Sequence, residues 1–156
     1  INLVAEKVNN QNINETFFNW DFKLIELNVK PSLTYHFSKK HWIKSSYEYT
    51  EKNNKINDQE HLTQQKLQFN YQFTSEKDTR FSVDFNLLRN TFEGNANSAV
   101  GYQMLEGLQP GNNMTWTLLW NKKLNSFLYL NINYNGRAHE NSRTIHNGNV
   151  QLRAQF

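Results

Sequence analysis

From Ile25 to Phe37 the chain alternates without a miss. Ile25, Leu27, Val29, Pro31, Leu33, Tyr35 and Phe37 stand at odd positions, with Glu26, Asn28, Lys30, Ser32, Thr34 and His36 between them. A period of two puts the two sets on opposite faces of a β-strand. No helical i, i+3, i+4 pattern competes over a useful length anywhere in the chain. A sequence built this way folds as a sheet with one apolar and one polar face.

The alternation recurs along the chain. Ile43, Ser45, Tyr47 and Tyr49 oppose Lys44, Ser46, Glu48 and Thr50. Leu67, Phe69, Tyr71 and Phe73, then Phe81, Val83, Phe85 and Leu87, each alternate with polar residues. Met114, Trp116, Leu118 and Trp120, then Leu128, Leu130, Ile132 and Tyr134, follow the same rule. The chain closes on Val150, Leu152, Ala154 and Phe156. Residues 1–8 give a poorer pattern, with Ile1, Leu3 and Ala5 on one face, and 9–15 read as a loop. Phe18, Trp20, Phe22 and Leu24 are apolar at even positions, so the phase jumps at Ile25. A β-bulge near Leu24–Ile25 would produce that slip. Pro31 removes a ladder donor and predicts a second irregular or unpaired site.

Only 37% of the residues are hydrophobic, while 14% are aromatic, and the mean hydropathy is −0.82. A soluble globule is usually richer in apolar residues (about 45–50%). The strict placement of the apolar residues argues against disorder. What remains is a barrel with an apolar outside and a polar inside. No run approaches the ~20 apolar residues of a membrane helix, but barrel strands give a far weaker hydropathy signal. The net charge of +3 is scattered and leaves no electrostatic footprint for nucleic acid. With no cysteine there are no thiolate sites or disulfides.

The connections alternate in length: 38–41 short, 51–60 long, 74–79 short, 94–111 long, 121–126 short, 138–144 intermediate. Bacterial outer-membrane barrels have short periplasmic turns and longer extracellular loops. The expectation is therefore an all-β, antiparallel up-and-down transmembrane β-barrel of about eight strands, with a periplasmic C-terminus. Phe37, Phe73, Phe81, Trp120 and Phe156 share the outward parity and border a short turn or the C-terminus, as one ring of an aromatic girdle would. Tyr49 and Tyr134 lie near the opposite rim. A soluble barrel or sandwich would need the aromatic set inside.

The closing strand, Val150, Leu152, Ala154 and Phe156, resembles the C-terminal assembly signal of outer-membrane proteins, which the barrel-insertion machinery recognises. The segment Met104 to Gly111, followed by Asn113-Met114-Thr115-Trp116, combines with Tyr134-Asn135-Gly136-Arg137 and the tail from Ile145-His146 to Phe156. Together they resemble the C-terminal region of large Bacteroidota outer-membrane proteins, over about the last third of the chain. The resemblance implies a Gram-negative outer-membrane location and a barrel that closes a longer polypeptide. The start at Ile1 agrees with one domain, 1–156, forming the C-terminal part of such a chain.

The inward set carries both signs of charge: Glu26, Lys30, Lys44, Glu48, Lys66, Arg80, Asp84, Arg137 and Arg153. In an eight-stranded lumen, filled by side chains, these form an internal ion-pair and amide network; in an arc of a wider barrel they would line water. The five histidines lack the spacing of a ligand set. His139-Glu140 with Ser142 only superficially suggests acyl transfer, because adjacent strand residues point opposite ways. We therefore expect no catalytic residue, no metal and no cofactor. The 94–111 loop exceeds ordinary connection lengths, and Tyr102, Met104, Leu105 and Leu108 make it a candidate partner contact or a self-packed cover. The function expected is a non-enzymatic membrane anchor or subunit of a larger cell-envelope complex. The alternatives are an arc of a larger transport or pore barrel and, behind both, a barrel enzyme. The partners expected are outer-membrane lipid, the insertion machinery and other outer-membrane or surface proteins.

Overall fold

A computed structural model describes residues 2–12, 22–56, 60–75 and 78–155. Eight strands follow in order: β1 (Asn2–Asn12), β2 (Phe22–His36), β3 (His41–Asn54), β4 (His61–Ser75), β5 (Thr79–Glu93), β6 (Gly111–Lys123), β7 (Leu128–His139) and β8 (Ile145–Ala154). A single short helix, α1 (Ala99–Met104), lies between β5 and β6. Each strand pairs antiparallel with the next, in the order β1 to β8 without a crossover. The all-β meander and the rhythm of short and long connections match the alternation. Closure into a barrel is not present. Among the described residues β1 and β8 do not pair with each other, so both edges of the sheet keep unused backbone donors and acceptors. Ile1, Phe18, Trp20 and Phe156 fall outside the described residues.

The register makes the sheet strongly sheared. A line of paired residues leaves Asn2, passes Ser32, Ser46, Gln68, Asn86, Thr115 and Arg137, and arrives at Ile145. It enters β1 at its first residue, on the side of the short turns, and leaves at the first residue of β8, on the side of the long loops. The line thus climbs a full strand, about ten residues at ~3.3 Å, over seven steps of ~4.8 Å. That is a strand tilt of roughly 45°, at the upper end of the range closed and membrane-spanning barrels adopt.

Several strands outrun their apolar pattern. β1 extends to Asn12 although residues from Asn9 read as a loop, because Asn9 to Asn12 find ladder partners in Ile25 to Phe22. β3 likewise continues through Glu51-Lys52-Asn53-Asn54, paired with His61 to Thr63 on β4 and with β2. Backbone hydrogen bonds carry these polar ends beyond the apolar belt, where side-chain periodicity gives no signal.

No bulge occurs at Leu24–Ile25. Both residues pair in unbroken register with Asn10 and Asn9 on one side and with Asn54 and Asn53 on the other. The apparent phase slip has a different cause: Leu24 is apolar on the polar face because it belongs to a small core there. That core joins Leu24, Leu62, Val100, Met104 and Leu105, with Phe92 and Ala96 packed against it. The pairing of β2 with β3 does lapse at Lys30 and Pro31 and resumes in the same register at Ser32, as the missing proline donor requires.

Burial is inverted relative to a water-soluble sheet. On the polar face Asn54, Thr50 and Ser46 are 1%, 2% and 3% exposed, while on the other face Phe37 and Val150 are 63% and 68% exposed. Leu27, Leu33, Tyr35, Tyr47, Phe69, Leu87 and Leu152 are exposed beside them. No helix among the described residues is long and apolar enough to cross a membrane.

Gly136 is the one place where the apolar face requires a glycine. It stands opposite Trp116 in register, and a methyl group built there would overlap the indole ring. We expect Gly136→Ala to cost about 1–3 kcal/mol by pushing Trp116 off the sheet, readable as a lower unfolding midpoint in urea.

Candidate functional site

The polar face is a network built from adjacent strands. Along one register line Ser46 Oγ donates to Gln68 Oε1 (3.2 Å), Gln68 Nε2 to Asn86 Oδ1 (3.0 Å) and Asn86 Nδ2 to Thr115 Oγ1 (3.0 Å). Each link joins directly opposed cross-strand neighbours on one face, whose Cβ atoms lie about 4.5–5.5 Å apart. Nearby, Asn70 Nδ2 donates to Asp84 and Gln64 Nε2 to Asn90 Oδ1 at 3.0 Å. Glu48 is the charged centre: Lys30 Nζ lies 2.9 Å and Lys66 Nζ 3.8 Å from its Oε2, while Asn28 Nδ2 donates to Oε1 at 2.7 Å. Among the described residues no buried side-chain nitrogen or oxygen lacks a partner. Of the inward charges from β2 to β5, Glu26, Lys30, Glu48, Lys66 and Asp84 are paired in this network, whereas Lys44 and the exposed Arg80 have no carboxylate partner among the described residues.

The segment 94–110 folds over this face at its long-loop end. Ser98 caps α1, its Oγ accepting from Gly101 N at 2.9 Å. The turn is helical and packs on the chain itself, the self-packed cover of the two readings of this loop. Val100, Met104 and Leu105 are buried against Leu24 and Leu62. Lys52, read from sequence as part of a solvated loop, is buried and holds the segment down. Its Nζ reaches Glu106 Oε1 at 2.6 Å and the Met104 carbonyl at 3.3 Å, with Glu26 Oε2 at 3.8 Å. Of the four residues offered as partner contacts, Met104 and Leu105 therefore face the chain's own core, Leu108 is half-buried and Tyr102 stands exposed. We expect Lys52→Met to release the segment, seen as faster proteolytic cleavage within 94–110 with β3–β5 still protected. Glu26 would then be left without its cation, at a cost of about 2–3 kcal/mol.

The aromatic residues of the apolar face come together near the short turns. Phe73 pairs across the sheet with Phe81, and Phe81 with Trp120. His41 stacks on Phe73 with centroids 4.5 Å apart, and His41 Nδ1 lies 2.8 Å from the Tyr71 hydroxyl. Tyr35 meets Phe37 edge-on at 4.9 Å, and Lys122 Nζ lies 5.9 Å from the Trp120 ring. His41 and Tyr71 were missed as members of this band, although both have outward parity. Phe156 lies outside the described residues. Val150, Leu152 and Ala154 occupy the apolar face of β8, opposite Ile132, Leu130 and Leu128. Tyr134 lies at the middle of β7, opposite Leu118 and Gly148, rather than at the long-loop rim, its hydroxyl 2.7 Å from His146 Nδ1.

His139 is occupied by backbone at both ring nitrogens. Nε2 lies 2.9 Å from the Pro110 carbonyl, and Nδ1 accepts from Asn141 N at 3.2 Å. Glu140 accepts from Asn112 Nδ2 at 2.7 Å, so the structure brings no His139–Glu140–Ser142 relay together. Among the described residues no group of three His, Asp or Glu side chains is placed to hold a metal. The fold and its network define an all-β meander sheet of inverted polarity. No family model matches this chain, and neither a curated protein nor a solved structure is found similar to it.

Proposed function

We propose that this chain is a membrane-embedded β-sheet of a bacterial outer membrane, an anchor or wall element of a larger cell-envelope assembly with no chemistry of its own. The inversion of burial carries this reading. A face presenting Leu27, Leu33, Phe37, Phe69, Leu87, Val150 and Leu152 in water forgoes roughly 25 cal/mol for each Å² left exposed, whereas acyl chains cover it without loss. The aromatic band near the short turns and the steep tilt fit the same solvent. In this reading the short turns and the C-terminus are periplasmic, lipid is the main partner, and Val150, Leu152, Ala154 and Phe156 address the insertion machinery. Co-flotation with liposomes after refolding, resistant to alkaline extraction, is the expected result; recovery as a monomer in buffer without detergent contradicts it.

The open edges favour one second reading, an arc of a wider barrel. β8 is exposed along its whole length, and the satisfied network stops at β6, leaving the polar side chains of β8 exposed. A barrel completed by further strands would set those residues against water. Reproducible open-pore current in planar bilayers supports the arc, and a silent bilayer with inserted protein supports the anchor.

A further inference from the structure

The segment before β6 meets the β7–β8 hairpin at one cavity of about 380 Å³ at the long-loop end of β6–β8. Leu108 and Gln109 come from the Met104–Gly111 segment, Arg137 from Tyr134-Asn135-Gly136-Arg137, and Ile145 from the start of β8, with Asn113 and Arg143 completing the wall. Neither arginine has a carboxylate partner among the described residues, while the acids nearest the cavity are engaged elsewhere. Glu106 is held by Lys52 at 2.6 Å, and Glu140 by Asn112 at 2.7 Å. His139 lies in the wall, but its nitrogens are taken by backbone, so it adds no free acceptor. On β2–β4, by comparison, Lys30, Lys52 and Lys66 each reach a glutamate and Lys44 does not.

A second cavity of about 430 Å³ adjoins the first, sharing Leu108, Arg137 and Ile145, and is lined further down by Thr115, Asn135 and Asn147. The pair forms an open cleft whose lining includes Arg137 and Arg143 together with the amide and hydroxyl residues Gln109, Asn113, Thr115, Asn135 and Asn147. Two guanidinium forks suit the several oxygens of a phosphate better than a single carboxylate. The amide and hydroxyl side chains in the lining suit the hydroxyls of a sugar.

We propose that this cleft is a binding site for a phosphorylated saccharide, with Arg137 and Arg143 taking the phosphate. The site is local to β6–β8 and segment 107–109, so it does not depend on what the apolar face contacts. Its ligand could be a free sugar phosphate or the phosphorylated headgroup of a glycolipid.

The test is titration of the full chain, folded in neutral detergent micelles, with glucose 6-phosphate and separately with glucose, followed by calorimetry. Saturable binding of glucose 6-phosphate but not glucose is expected. Arg137→Gln and Arg143→Gln should each weaken it about tenfold or more, and Arg80→Gln, an exposed arginine at the opposite end of the polar face, should leave it unchanged. Both exposed cleft arginines can be replaced without disturbing the core, and the urea midpoint of each variant checks this. No binding by the native chain, or equal loss in all three variants, overturns the proposal. In nanodiscs, glucose 6-phosphate binding by the native chain that is lost with lipid A but kept with phosphatidylcholine alone assigns the site to a lipid headgroup. Undiminished binding assigns it to a soluble sugar phosphate.

Discussion

Replacing Phe85 by Arg will block assembly into membranes, while Thr117→Arg at the same depth will assemble. Phe85 lies at the middle of β5, flanked in register by Phe69 and Trp116 on the apolar face. Thr117 lies at the middle of β6 on the polar face, opposite Asp84 and Asn135. A guanidinium facing lipid near the midplane costs about 2–4 kcal/mol, and Phe85→Arg also loses the ring packing of its row. At position 117 the same group gains Asp84 as a neighbour. Heat-modifiable mobility after refolding into liposomes reads both. Trp120→Arg against Asn121→Arg should show a smaller difference of the same sign, because Trp120 lies near the short turns, where the penalty fades. Equal tolerance at 85 and 117 would remove the assignment of faces.

The second large effect belongs to the network. Glu48→Leu leaves Lys30 and Lys66, now 2.9 and 3.8 Å from the carboxylate, facing each other with no anion. Glu48 is largely covered, so we expect a loss of about 3 kcal/mol. Glu48→Gln should cost less, because the amide oxygen still accepts from Asn28. In Lys30→Met/Glu48→Leu one of the stranded cations is gone and part of the loss should return. Urea unfolding of the refolded chain measures all three. If Glu48→Leu is neutral, this region is flooded by water and the network is incidental.

The parity of the strands was legible because each residue from Ile25 to Phe37, and in the later strands, must stand on one of the two faces of the sheet. The same logic recovered the turns and placed Phe73, Phe81 and Trp120 in one band. It failed where a residue answers to a distant partner. Leu24 looked like evidence for a bulge because α1, which covers it, lies some seventy residues further on. Lys52 sits in a run of polar residues that reads as loop, yet its burial is set by Met104 and Glu106, more than fifty positions away. Neither α1 nor the meeting of Gln109, Arg137 and Ile145 leaves a period in the sequence. Both depend on which strand tops the register brings together. Asn9 to Asn12 were missed for the opposite reason, since backbone pairing with Ile25 to Phe22 extends their strand where the side chains carry no apolar period.

The central claim is that the apolar face of this sheet is turned to lipid and the polar face away from it. The chain has no cysteine, so single cysteines introduced at each position from 81 to 87 can be spin-labelled without background. Collision with oxygen and with a water-soluble nickel complex is then measured in liposomes. Labels at 81, 83, 85 and 87 should be reached by oxygen and shielded from nickel, and those at 82, 84 and 86 should show the reverse or be immobile. An alternation of the opposite phase, or none, would contradict the account.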